Sequence, residues 1–397
     1  MIAEGAEIKI MAGRCILCNS ENLEILKEAK QEVYATGDRK SFDVEDRQIR
    51  KVICKKCGMV QFLQNADHIN AINKVFDDYD VLRVKQWSLN EKRCKPHLQD
   101  EYERIGKAIS LPQKGKMLDI GCGGGESLFW FRQIYPEWDL YGMDIGEQFR
   151  CKVTEVGGRF FASLDEIRDS GQKFDFVTVN QVLCLADNMV QILETVHDVL
   201  ADNGIFFVMD TDYEVHPWML YTIEHCVLFT KDSLEALLSK FGFEVLDINF
   251  EHEKKEISFF CSKKEISQNR FPDFYQQNKE IYERKIEYLN SIIDTVWKYV
   301  GKNRNIGIFG TSVAGIWLSE IITKGMTKCD GKNLFYVEED EEILQRKADV
   351  GRYPVYRLEE IVEKAVIFLP FPDYIAESIQ RRCESEYSNC EFVVFGQ

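Results

Sequence analysis

The segment Asp119–Gly125, reading Asp-Ile-Gly-Cys-Gly-Gly-Gly, constrains this chain more than any other stretch. It leaves a short buried strand, Lys116–Ile120, and enters a helical pattern over Ser127–Tyr135. Strand, glycine turn and helix in that order open an α/β domain with a mostly parallel sheet. Glycine lets the backbone approach a ligand with no Cβ in the way, and amides of the turn then face that ligand. The next strand, Asp139–Asp144, ends in an acid 21 residues beyond Gly123, the spacing of a carboxylate that accepts hydrogen bonds from ribose hydroxyls. A dinucleotide-binding turn shares this outline, so the outline alone leaves the cofactor open.

At 397 residues the chain implies two or three domains. A formal charge of −16 argues against a broad nucleic-acid surface, which needs clustered Lys and Arg. A local basic pocket for one small phosphate ligand stays compatible with it. No apolar run approaches the roughly 20 residues that span a bilayer, and the acidic start does not resemble a secretory signal. The 13 cysteines are odd in number and mostly scattered, which fits a reducing cytoplasm better than a disulfide scaffold.

Three segments follow from the patterning: 1–75, 76–262 and 263–397. The first carries Cys15/Cys18 and Cys54/Cys57, two CxxC pairs separated by 35 residues. Four thiolates so spaced can hold one tetrahedral ion, zinc before iron, and a closed set of four cysteines makes the metal structural. Gly58 suits the tight turn of such a knuckle. The second segment alternates strands and helices, with strands at Phe174–Asn180 and Gly204–Asp210 and a helix from Met189 to Leu200. The third opens on a long amphipathic helix with Tyr282, Ile286, Leu289, Ile293, Val296 and Val300 on one face. Strands at 305–310, 333–337, 365–369 and 392–395 make it a second, smaller α/β unit. Its turn, Gly310–Gly315, lacks a full GxGxxG, and Glu338–Glu342 reads as a solvated face or helix start.

The full string Leu118–Glu126 resembles the S-adenosylmethionine (SAM) signature of class I methyltransferases. That resemblance implies SAM contacts at Asp119, Gly121, Cys122, Gly123 and Asp144. Phe174–Val177 followed by Asn180 and Gln181 is similar to the family's next strand and turn, which passes beside the methionine group. The whole chain resembles the three-domain sugar C-methyltransferases, which act on nucleotide-linked 4-keto-6-deoxysugars. Cys15, Cys18 and Cys54–Gln61 look like their zinc module. Gly310–Gly315, Tyr353–Tyr356 and Phe368–Phe371 are similar to their Rossmann-like third domain.

Within this family a Glu-His pair precedes a Leu-Leu-x-x-x-Gly-Phe helix, and it falls on Glu224 and His225. The resemblance implies a nucleotide-sugar substrate; the sequence leaves the oligomeric state open, with a monomer or dimer expected. Carbon methylation needs a base beside the ketone and a donor for the enolate oxygen. His225 is the base candidate because a free imidazole titrates near pH ~6.5. Glu224 orients it or binds a sugar hydroxyl, and Tyr79 is a further substrate contact. The family's preceding Tyr-His is Thr222-Ile223 here, and Leu185 stands where the family tends to have His. Those departures keep O- or N-methylation of a related sugar or small molecule open. An NAD-binding oxidoreductase or sensor built on the third segment is the alternative from another class. His216 is a possible second contact, while His68, His97, His197 and His252 read as surface or structural residues.

Overall fold

The computed structural model describes residues 13–42, 49–77, 87–90, 93–248, 250, 255–266, 271–326, 333–339, 341–345 and 353–396. The first segment holds β1 (Leu23–Ile25), β2 (Tyr34–Ala35), β3 (Ser41–Phe42), β4 (Lys51–Cys54), β5 (Val60–Phe62) and helix α1 (Ala66–Asp77). A hairpin, β6 (Trp87–Asn90) and β7 (Arg93–Pro96), leads into α2 (His97–Ala108). Then come β8 (Lys116–Ile120), α3 (Glu126–Ile134), β9 (Asp139–Met143), α4 (Arg150–Glu155), β10 (Gly158–Phe161) and α5 (Leu164–Asp169). They are followed by β11 (Phe174–Asn180), α6 (Met189–Val199), β12 (Leu200–Thr211), β13 (Val227–Leu228), α7 (Lys231–Lys240), β14 (Phe243–Val245) and β15 (Glu256–Lys263).

Seven of these strands form one sheet in the order β10-β9-β8-β11-β12-β15-β14. The first five run parallel, and β15 is antiparallel to both β12 and β14. From β8 the chain builds outward through β9 and β10, then returns to build the other side from β11. The C-terminal ends of β8 and β11 therefore flank a topological switch point, where open α/β sheets bind ligands. Buried Met117, Leu118 and Ile120 on β8 and buried Phe176, Val177 and Val179 on β11 make these strands covered on both faces. Helix α6 lays Met189, Ile192, Leu193, Val196 and Val199 against the sheet, a period-3.6 stripe.

The third segment has α8 (Tyr275–Val300), β16 (Asn305–Phe309), α9 (Val313–Gly325), β17 (Asn333–Val337), α10 (Glu341–Gln345), β18 (Val355–Tyr356), β19 (Ala365–Leu369), α11 (Asp373–Cys383) and β20 (Cys390–Val394). Its sheet, β18-β17-β16-β19-β20, is parallel throughout.

The segments are interlocked. Strand β13 belongs by sequence to the second segment, yet it completes the four-stranded sheet β1-β4-β5-β13 of the first. One apolar core joins Tyr34 and Phe62 of the first segment to Trp218 and Tyr221 of the second and Leu289 and Trp317 of the third. Gly58 has φ +75°, and a Cβ there would lie 2.3 Å from the Phe274 carbonyl carbon at the start of α8. The Asn278 amide donates to Gly58 O at 2.9 Å across that seam. Among the described residues no helix is long and apolar enough to cross a membrane.

Candidate active site and cysteine centre

The glycine turn stands at the switch point. Gly121, Gly123 and Gly125 have φ of +76°, +46° and +77°, a region that other residues enter only with strain. A Cβ on Gly121 would lie 2.3 Å from Val182 Cγ2, so the turn after β8 and the turn after β11 press together. The amides of Gly121 and Cys122 both donate to Met143 O, at 2.8 and 3.0 Å. These two groups are thus held by the end of β9, whereas the sequence suggests turn amides facing a ligand. A turn this tight satisfies its own buried donors first. Gly123 N–H instead meets the predicted acid, donating to Asp144 Oδ2 at 2.9 Å, while Gly146 N–H donates to Oδ1 at 2.8 Å.

Two of the predicted side chains lie behind the turn. Cys122 is buried in the core, where a Cβ on Gly142 would meet its Sγ at 2.7 Å. Asp119 is buried under the turn and accepts from Thr178 Oγ1 at 2.6 Å, and burial pushes its carboxyl up to about 7. Asp119 therefore stiffens the end of β8 from below.

Asn180 ends β11 and donates from Nδ2 to Glu101 Oε1 at 3.0 Å. Gln181 follows with φ +53° and its N–H bonded to Met209 O at 2.7 Å, a strained position of the kind that collects at functional sites. Its side chain reaches Glu256 Oε1 at 3.4 Å, and His97 Nε2 stands 3.3 Å from the same oxygen. Sequence reasoning missed Glu101, Glu256 and the placement of His97 in this group. A signal existed for one of them: Glu101 shares the inner face of α2 with Tyr102 and Ile105, and a carboxylate on an apolar stripe is anomalous.

Glu224 and His225 lie where the first segment clasps the second, next to Ile223 of the shared apolar core. Ile223 N–H bonds Ala35 O at 3.0 Å, and Gly37 N–H donates to the Glu224 carboxylate, so the β2–β3 hairpin of the first segment clasps this loop. Phe62 N–H to Cys226 O, 3.0 Å, fixes it from the other side. Burial pushes Glu224 up to about 7 and His225 down to about 4. The expectation of an imidazole titrating near neutrality is thereby corrected: His225 is buried, and desolvation disfavours its cation. His225 Nδ1, His216 Nδ1 and Glu224 Oε2 are buried without a hydrogen-bond partner among the described residues. His216 is likewise held down to about 3, chiefly by burial. Tyr79 lies outside the described residues.

The four knuckle cysteines converge, with all Sγ atoms within 4.8 Å of one another. Cys15–Cys57 and Cys18–Cys54 stand at 3.6 and 3.5 Å. Disulfides need about 2.05 Å. A tetrahedron with metal–sulfur bonds of about 2.3 Å has edges of about 3.8 Å, which these separations approach. Lys56 N–H points at Cys54 Sγ, 3.4 Å away, and Gln61 ties the first knuckle to β5 through Ile16 N–H (2.9 Å) and Arg14 O (3.0 Å). The donor set fits zinc.

In the third segment Glu338 ends β17. Thr311 donates to it from both N–H and Oγ1 at 3.1 Å. The expected solvated face starts later than the sequence suggests, because Glu338 folds back on the turn after β16.

Comparison with known proteins bears on the second segment. Residues 91–248 match the family described as a methyltransferase domain. That match spans the glycine turn and six of the seven strands of the sheet. An uncharacterised protein of Rickettsia prowazekii is 31% identical over 146 residues, covering 32% of this chain and 57% of that one. A Haemophilus influenzae protein, also uncharacterised, is 30% identical over 145 residues, covering 32% and 52%. The chain thus spans about half the length of the curated relatives it matches. Among solved structures, a Thermotoga maritima SAM-dependent methyltransferase described as a possible histamine N-methyltransferase is 16% identical, covering 42% of this chain and 89% of that one at a TM-score of 0.33. Human N-acetylserotonin methyltransferase bound to SAM is 18% identical, covering 42% and 52% at 0.34.

Proposed function

We propose that this chain transfers a methyl group from SAM to a carbon of a nucleotide-linked keto-deoxysugar, with zinc holding its N-terminal knuckles. The observation that carries the reading is the buried Glu224–His225 loop, clasped by the first segment, with uncommitted polar atoms on Glu224, His225 and His216. A second support is the repeated device in the third segment. Thr311 and Glu338 are arranged like Gly123 and Asp144, as a nucleoside-bearing substrate would require of a second nucleotide-type turn.

SAM, when bound, supplies an electrophilic methyl group. The chain's own residues must take a proton from the carbon beside the ketone and stabilise the enolate oxygen. Glu224, raised to about 7, is better matched to proton transfer at neutral pH than His225, lowered to about 4. His225, neutral and with Nδ1 uncommitted, is suited to hydrogen-bond the enolate oxygen in its Nδ1–H tautomer.

One feature favours a second reading, O- or N-methylation: buried Thr222 and Ile223 replace the Tyr-His of the resembled family. Mass spectrometry of products from SAM and a panel of nucleotide 4-keto-sugars tests both. A product heavier by one methyl group, with solvent deuterium entering the carbon beside the ketone, supports carbon methylation. Methyl transfer without such exchange, with fragmentation that places the methyl on oxygen or nitrogen, supports the second reading.

A further inference from the structure

Helix α2 brings one carboxylate to the switch point from outside the glycine turn. Glu101 is fully buried, and its Oε1 is committed to Asn180 Nδ2 at 3.0 Å. Its Oε2 is buried with no hydrogen-bond partner among the described residues, and so is Asn180 Oδ1 beside it. His97 Nε2 lies 4.0 Å from that Oε2, beyond hydrogen-bond reach. The pair thus leaves two buried oxygens without a bond, in a place where an unmade bond is costly.

Position narrows what these acceptors take. Asp144 follows β9 and Asn180 ends β11, with β8 between them. Two strand spacings, roughly 9–10 Å, separate those ends. A ligand with ribose at Asp144 directs its other end across the turn toward Asn180 and Glu101. The carboxyls of Asp119 and Glu256 also act on Glu101, a setting that favours a cationic occupant over an anionic one. Of the two cations in SAM, the sulfonium carries no N–H, whereas the α-ammonium carries three.

We infer that Glu101 and Asn180 bind the α-ammonium of the methionine portion of SAM, an assignment that rests on the SAM reading of the site. Burial raises the Glu101 carboxyl well above its ordinary range, so the arriving ammonium also supplies the charge that keeps it ionised.

Calorimetric titration of three ligands into the full chain and its Glu101→Gln variant tests this. The ligands are SAM, S-adenosylhomocysteine and methylthioadenosine, the last lacking the amino-acid end. Gln keeps the shape and the acceptor for Asn180 while removing the charge. The expected result is a loss of roughly ten- to a hundredfold in affinity for SAM and S-adenosylhomocysteine alike. Methylthioadenosine, with no ammonium, should bind the variant as it binds the wild type, which also shows that the variant is folded. Equal weakening of all three, or of none, overturns the inference. Weakening of SAM alone overturns the ammonium assignment in favour of the sulfonium. A wild-type chain that binds none of the three overturns the SAM reading itself, before any variant is compared.

Discussion

Gly123 donates its amide proton to Asp144 Oδ2 across 2.9 Å, joining the turn after β8 to the acid that follows β9. The contact holds the carboxylate beside the turn, and Gly146 N–H fixes its other oxygen at 2.8 Å. A ribose bound there, as the proposed SAM site requires, would meet an oriented acceptor with little rearrangement left to oppose binding.

The turn should not tolerate a side chain at Gly121. Its φ of +76° and the 2.3 Å approach to Val182 Cγ2 combine backbone strain with overpacking. Gly121→Val is expected to lose on the order of 2–4 kcal/mol of stability and to abolish SAM binding. Urea unfolding and ligand titration of the variant check both. A variant as stable as wild type that still binds SAM would show that this turn is not the cradle.

Stability should fall on acidification because of buried imidazoles. Burial holds His68 and His225 down to about 4 and His216 to about 3. The unfolded chain takes up these protons near pH ~6.5 while the native state does not. Each histidine therefore contributes stability that is present above that pH and is lost as pH falls toward its folded value, about 2 kcal/mol between pH ~7.5 and ~5. Glu224, held up to about 7, has the opposite sign: its contribution is present at low pH and lost as pH rises through 7. Urea unfolding at several pH values should show a flatter acid limb for His216→Gln and a gain at alkaline pH for Glu224→Gln. Curves parallel to wild type for both variants would count against burial as the cause.

Much of this architecture could be read from the sequence, and the remainder has identifiable reasons. Strands β8, β11, β17 and β19 are short apolar runs with clear ends, and their predicted bounds coincide with the observed ones. The cysteines declare themselves by spacing and do converge. Strand β13 was not legible, because two residues become a strand only by pairing with β5 over 160 positions earlier. The same holds for Glu101, His97 and Glu256, which come from distant parts of the chain. The depressed imidazoles depend on burial, which no local pattern reports.

Removal of the metal should be felt at Glu224 and His225. Strand β5 follows the second knuckle directly and pairs with β13, two residues after His225. We expect one zinc per chain, and a chelator that extracts it should lower the unfolding temperature and raise hydrogen exchange at 60–62 and 223–228. Unchanged exchange at 223–228 after complete zinc loss would uncouple the two sites.

The seam between Gly58 and α8 gives a stability test away from the chemistry. Gly58→Ala adds a methyl group 2.3 Å from Phe274 carbonyl carbon at a φ of +75°. It should cost about 2 kcal/mol or more, read as a lower urea midpoint. An unchanged midpoint would mean that α8 does not seat on the knuckle.

Calorimetric titration of SAM into wild type and Asp144→Ala tests most directly the proposed binding of SAM at the Asp119–Gly125 turn. One SAM per chain should bind the wild type, and the variant should lose roughly tenfold or more through the missing charged acceptor. A wild-type chain that ignores SAM, or that binds NAD in its place, would refute the assignment.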